Sequence, residues 1–298
     1  MQHHNSTNMS IPYRATPENV ATSAVLGLCF VLGIPGNLAV LVVVGQRLKN
    51  GNFTLKLMFS LAISDLLTLV SLPLWIKALL HGWIFGLVLC KMISYLVYWS
   101  IYSSVLCVTL LSVHRYLQVL YSRKWSKLGR KGELMLLIGV WILSGILSSY
   151  SLFQRQVTFQ DRDKLLHCDK KYKDDGERVC ILVLETVSLF VVPFSVLAFS
   201  YFTLNKKVSH MVLFRSKRMT KLVARIVLVF FLLWTPVHIN NVLMIAATLG
   251  KSDRLSSITE TMAGLSGALT FINSCVNPFL YAFSAQVLRR QTPMGEST

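Results

Sequence analysis

The stretch SLAISDLLTLVSLPLWIKALL, residues 60–80, carries two ionisable side chains, Asp65 and Lys77, in a run that is otherwise apolar or small. Wound as an α-helix, about twenty residues rise ~30 Å, the thickness of a bilayer's hydrocarbon core. A carboxylate near the middle of such a run costs about 2.5–3.5 kcal/mol to insert, so it persists where it has partners or a function. The stretch reads as one membrane span with a polar residue turned toward other protein.

Working outward, runs of this kind recur near residues 20–46, 54–80, 88–120, 134–153, 180–206, 219–248 and 257–284. They predict an all-α membrane protein, a bundle of seven transmembrane helices. Composition agrees: 53% of the residues are hydrophobic and 14% charged, against about a quarter charged in soluble domains. The polar stretch ahead of the first run has neither a basic n-region nor a cleavage site, which predicts no removable signal peptide. The predicted layout is an outer tail over residues 1–19, the bundle over 20–286 and a short inner tail over 287–298.

The formal net charge is +17, and its distribution sets the orientation. Arg47, Lys49 and Lys56 follow the first run, Arg123, Lys124, Lys127, Arg130 and Lys131 the third. Lys206, Lys207, Arg215, Lys217, Arg218 and Lys221 follow the fifth, and Arg289 and Arg290 the seventh. In these alternate joints the acids are Glu133 and Glu296, whereas the other joints mix their cations with Asp161, Asp163, Asp169, Asp174, Asp175, Glu177 and Asp253. By the positive-inside rule the N-terminus lies outside and the C-terminus inside, at the plasma membrane. Basic residues metered out between spans do not make a nucleic-acid face; they suit anionic inner-leaflet lipids.

Cys90, at the outer start of the third span, and Cys168, in the second outer loop, fall where an oxidising exterior would place them. The two could tie that loop to the bundle, or stand as unrelated thiols. Cys29, Cys107 and Cys275 lie inside spans and read as packing residues, and Cys180 as a free thiol at the outer end of the fifth. Asn5 and Asn8 sit in N-x-[ST] sequons on the outer tail and are candidate glycosylation sites, while the sequon at Asn52 falls on the inner side.

Polar groups inside spans are the functional candidates. Asp65, Ser104, Asn273, Ser274 and Asn277 offer one acid with hydroxyl and amide oxygens, a donor set for a small hard cation; an aspartate simply hydrogen-bonded to its neighbours is the plainer alternative. Pro193, Pro236 and Pro278 break the fifth, sixth and seventh spans and kink them. A transporter would use broken helices too, with repeated halves, but the chain has no internal repeat and an odd number of spans. No HExxH or GxSxG motif accompanies the buried candidate His238, so no enzyme is expected.

In order and spacing these features resemble the rhodopsin-like G-protein-coupled receptors. The matches are the Gly36–Asn37 pair in span one, LAISD in span two, Cys90 at the head of span three and HRY at its foot. Trp141, Pro193, Tyr201, FFLLWTP (Phe230, Trp234, Pro236) and NPFLY (ending at Tyr281) complete the set. The resemblance implies a heterotrimeric G protein as partner, of the Gi/o family, and no cofactor beyond an allosteric sodium ion held by Asp65, Ser104, Asn273, Ser274 and Asn277. It implies that Trp234 switches rotamer below the ligand, with Phe230 beside it, and that Arg115, Tyr201 and Tyr281 rearrange to admit the G protein. The chain departs from the family with His114 in place of an acid beside Arg115, and with Ser148 and Ser149 where span four usually has a proline.

Within the family, amine receptors carry an aspartate where this chain has Val97, and opsins a lysine where it has Phe271. Tyr102, Arg155, Glu185, Trp234, His238 and Asn241 together are similar to the leukotriene B4 receptors of the chemoattractant branch. The resemblance implies a slender lipid carboxylate with hydroxyl groups, acting in chemotaxis and inflammation. Arg155 would grip the carboxylate; Glu185, His238 and Asn241 would take hydroxyls. Plainer readings stand beside these: Arg155 snorkelling at a helix end, Glu185 paired with a loop lysine, His238 packed in the core. A chemoattractant peptide is the second ligand class.

Overall fold

The structure is a computed structural model that describes residues 16–48, 53–121, 128–160, 164–208 and 214–289. The expectations that fall on Asn5 and Asn8, on residues 290–298 and on the side chain of Tyr281 lie outside the described residues. In chain order the elements are α1 (Pro17–Gly45), α2 (Phe53–Leu69), α3 (Leu72–His81), α4 (Gly86–Leu120), α5 (Gly129–Ser148) and the single turn α6 (Ser151–Gln154). Strands β1 (Arg155–Gln160) and β2 (Leu165–Lys170) follow, then α7 (Asp175–Thr186), a π-helical turn (Val187–Val191), α8 (Val192–Val208), α9 (Phe214–Leu249) and α10 (Asp253–Arg289).

Six helical segments among the described residues are long and apolar enough to cross a bilayer, and α10 is the seventh span. Span two is α2 with α3, span four is α5 with α6, and span five is α7, the π turn and α8. The expected spans are thus all present, several longer than the apolar runs: span six begins at Phe214 and span seven at Asp253. The fold is not purely helical, however. The second outer loop forms an antiparallel hairpin that pairs Arg155 with Lys170 and Gln160 with Leu165.

Local chemistry sets the ends. Thr16 caps α1 by accepting from the Asn19 amide, with Pro17 in the first turn where its missing N–H costs nothing. Asp174 caps α7 by accepting from the Glu177 amide, and the Glu177 carboxylate reaches back to the Lys173 amide. In span four Ser144 and Ser148 donate to the carbonyls one turn back, at 2.7 and 2.6 Å. Such back-bonding bends helices, and it stands where a proline was expected.

Helix α4 runs through the middle of the bundle. Tyr102, Val105 and Leu111 on it join Leu57 and Leu61 of α2, Val140 of α5, Leu197 of α8 and Trp234 of α9 in one buried cluster. Spans two, three and four meet at Ser60, whose hydroxyl oxygen accepts from Trp141 Nε1 at 3.0 Å and from Cys107 Sγ at 3.4 Å. Span one is fastened to span seven by Asn37, whose amide donates to the carbonyls of Gly33 and Ser274, both at 3.0 Å. A Cβ on Gly36 would come within 3.2 Å of Pro278, so a small residue beside that asparagine lets the helices approach. Leu28, Val42, Ile138, Ile142 and Phe202 point outward, the arrangement expected of a chain solvated by lipid.

Candidate ligand, ion and coupling sites

The outer site is built where the hairpin meets spans three, four and five. Cys90 of α4 and Cys168 of β2 form a disulfide with Cα atoms 5.7 Å apart. The Trp83 amide donates to the Leu166 carbonyl at 2.7 Å, which docks the first outer turn on the same strand. Gly82 makes that approach possible: its φ of +78° favours glycine, and a Cβ there would meet Leu165 at 3.1 Å. Thus anchored, the hairpin carries its two basal cations, Arg155 and Lys170, to the outer end of the bundle.

The two cations have different partners. Arg155 caps the helical turn that ends span four, as expected, and is also the first residue of β1; its Nη1 donates to the Cys168 carbonyl at 2.9 Å and its guanidinium lies 5.9 Å from the Trp75 ring centre. Glu185 is buried, and its Oε1 accepts from Lys170 Nζ at 2.7 Å and from the Tyr150 hydroxyl. The plainer reading of Glu185, a salt bridge to a loop lysine, is therefore the one the geometry supports. Lys170 also lies 5.1 Å from the face of Tyr98, a favourable place for a cation. Burial alone would push the Lys170 ammonium toward neutrality. The Glu185 charge, helped by Tyr98 and Tyr172, outweighs this and holds its pKa above the ordinary lysine range.

Below this pair stands a column of rings. Phe190 of the π turn stacks on His238 at 4.9 Å, His238 on Trp234 at 5.8 Å, and Trp234 on Phe230 at 5.5 Å. The last three lie at i, i−4 and i−8 on α9, so helical spacing alone aligns them. Both ring nitrogens of His238, the Asn241 side-chain N–H group and Trp234 Nε1 are buried without a hydrogen-bond partner among the described residues. Tyr102 is satisfied, sharing a 3.2 Å hydrogen bond with Ser188.

One layer deeper, Asp65 has no solvent exposure. Ser104 donates to its Oδ1 at 3.3 Å and Asn277 to its Oδ2 at 2.8 Å, and Ser274 hydrogen-bonds the same carboxylate. Asn273 is buried, but no hydrogen bond from it to Asp65 is among the described ones. Spans two, three and seven thus converge on a carboxylate whose described hydrogen-bond partners are all neutral.

At the inner end, Arg115 Nη1 donates to Gln118 Oε1 at 3.1 Å. His114 is buried and meets Phe53 edge-on at 5.2 Å, inside the seam between spans two and three. Tyr201 is half-buried and meets Phe202 at 5.9 Å. Lys56 and Glu133 form a 2.6 Å ion pair joining the feet of spans two and four.

The family description "7 transmembrane receptor (rhodopsin family)" matches residues 36–281. The chain belongs to that family. The receptor is 30% identical to Leukotriene B4 receptor 1 of Homo sapiens, over 98% of this chain and 85% of that protein. It is 32% identical to the C5a anaphylatoxin chemotactic receptor 1 of Danio rerio, over 86% of this chain and 74% of that protein. To the C-X-C chemokine receptor type 1 of Oryctolagus cuniculus it is 29% identical, over 89% and 76%. The receptor is therefore a multi-pass plasma-membrane protein that takes a ligand and a heterotrimeric G protein, and is not an enzyme.

Of the residues singled out in the sequence, Asp65, Ser104, Ser274 and Asn277 come together in the receptor as one cluster, and Trp234, Phe230 and His238 as one column. Glu185 meets the loop rather than standing open. The residues missed were Lys170 and Tyr150. Lys170 is one of four lysines between Cys168 and α7 or just before it (with Lys164, Lys171 and Lys173), and only the strand register distinguishes it.

Proposed function

We propose that the receptor answers an acidic, hydroxylated lipid of the leukotriene B4 kind and signals through a Gi/o-type G protein in chemotaxis and inflammation. The observation that carries this reading is the buried set of polar atoms on His238 and Asn241 that have no hydrogen-bond partner among the described residues, lying beneath a basic rim. Buried donors and acceptors without partners are costly. Ligand hydroxyls would satisfy them, while the aromatic column would line an apolar chain and the rim would meet a carboxylate. The likeness to Leukotriene B4 receptor 1 of Homo sapiens and of Rattus norvegicus agrees with this chemistry.

A peptide ligand is the second reading. The likeness to a C5a receptor and a chemokine receptor favours it, as do the exposed charges that follow the hairpin at Lys171, Asp174 and Asp175. Cells expressing the receptor are exposed to leukotriene B4, other hydroxylated fatty acids, C5a and chemokines, and G-protein dissociation is recorded. Saturable responses to a hydroxylated fatty acid, lost on addition of pertussis toxin, are expected. Responses confined to the peptides would replace the lipid reading with the second.

The Asp65 cluster is proposed as a sodium site. A fully buried carboxylate with hydroxyl and amide oxygens around it fits a small hard cation. Asp65, Ser104, Ser274 and Asn277 would hold the ion, which would neutralise the carboxylate and favour the resting bundle.

A further inference from the structure

We propose that Lys170 is the residue that takes the ligand's anionic end, and that Glu185 is an internal acid with which the ligand competes for it. This rests on the reading of the ligand as an acidic lipid. The base of the hairpin presents two cations, and they are not equivalent. The Arg155 guanidinium gives one N–H to the Cys168 carbonyl and lies over the Trp75 ring, whereas the Lys170 ammonium is the cation in direct ion pair with Glu185. The Lys170 ammonium sits between Tyr98 of span three and Glu185 of span five, with its side chain 23% exposed, whereas Glu185 is only 6% exposed. A ligand descending from outside therefore meets the ammonium before the carboxylate.

Glu185 is already engaged. The same oxygen accepts from both Lys170 and Tyr150, so a ligand hydroxyl would have to displace one of two charge-assisted or short-range donors to reach it. A ligand carboxylate placed there without the ammonium between would face like-charge repulsion. An ammonium has three N–H donors on a flexible four-carbon stem and one is used on Glu185, so it can turn outward and bridge two acids. Lys170 then sets the preference for acids over esters, and Glu185 holds that preference down.

The consequence is a reversal of sign. Were Glu185 a hydroxyl-binding residue, Glu185→Gln would weaken the ligand. As a competitor for Lys170, its neutralisation should strengthen acids selectively. Leukotriene B4 and its methyl ester are compared by displacement of radiolabelled leukotriene B4 from membranes carrying wild type, Glu185→Gln, Lys170→Met or Lys170→Arg at matched surface density. Glu185→Gln is expected to tighten the acid by about three- to tenfold and leave the ester unmoved. Lys170→Met should bring the acid down to the level of the ester, about tenfold or more, and Lys170→Arg should keep the distinction. If Lys170→Met does not reach the surface, the acid-to-ester ratio in Glu185→Gln alone decides. Weakening of acid and ester alike by Glu185→Gln overturns the competition while leaving the lipid reading intact. Absence of saturable lipid binding to the wild type, with peptides bound, removes both.

Discussion

At the scale of single residues, Asp65 and Glu185 are both buried acids in spans, yet they are held differently. Glu185 has a lysine on it, and Asp65 is surrounded by neutral donors from Ser104 and Asn277. An uncompensated carboxylate away from water is strongly disfavoured, which is why a cation is expected at Asp65 and not at Glu185. Raising sodium should therefore lower agonist affinity, by about fivefold or more if the coupling is of ordinary size. Asp65→Asn should abolish that dependence. Agonist binding titrated with sodium against an organic cation at constant ionic strength checks it, and equal sodium responses in both proteins would sink the ion site. Asp65 was legible in the sequence because a lone acid in an apolar run stands out. The Lys170 partner of Glu185 was not, because a loop lysine has no periodicity to place it.

At the scale of elements, the hairpin decides what the outer site contains. Its position comes from one covalent tie, Cys90–Cys168, and from the Trp83–Leu166 backbone bond, while its register brings Arg155 opposite Lys170. A slip by one residue would turn every side chain of a strand to the other face, taking Lys170 away from Glu185. Cys168→Ser should therefore do two things at once. It should lower thermal stability, by up to about 2–4 kcal/mol as for loops of this kind, and it should abolish the discrimination between acid and ester. Melting curves with a thiol-reactive dye and ligand displacement on the same preparation test the two parts; a destabilised receptor that still discriminates would mean that the tie does not position Lys170. The π turn in span five is a second element-scale feature. Pro193 has no N–H to give back to the turn before it, and the helix is widened at Val187–Val191, bringing Phe190 onto His238. Sequence predicts the break from the proline, but not which ring the widened turn delivers.

At the scale of the whole molecule, the alternation of basic and mixed joints predicts that the first residues face outward. Asn5 and Asn8 would then be accessible to glycosylation and the sequon at Asn52 would not. The receptor expressed in mammalian cells should shift on treatment with an N-glycosidase, and the double variant Asn5→Gln, Asn8→Gln should not. A shift persisting in the double variant, lost with Asn52→Gln, would invert the orientation. Seven spans and their polar interior residues could be determined from sequence alone, and the charge alternation supplies the expectation of their direction. Hydropathy and charge act locally on each helix as it meets a bilayer, and lipid permits few backbone solutions. The motif residues were equally legible: Asn37 joins spans one and seven, and Asp65 gathers Ser104 and Asn277. The pairing of Glu185 with Lys170 and Tyr150, the commitment of Arg155 to Cys168 and Trp75, and the burial of His114 against Phe53 were decided only by tertiary structure. Each joins residues from different elements, and their meeting depends on strand register, helix rotation and the disulfide together, none of which leaves a period in the sequence.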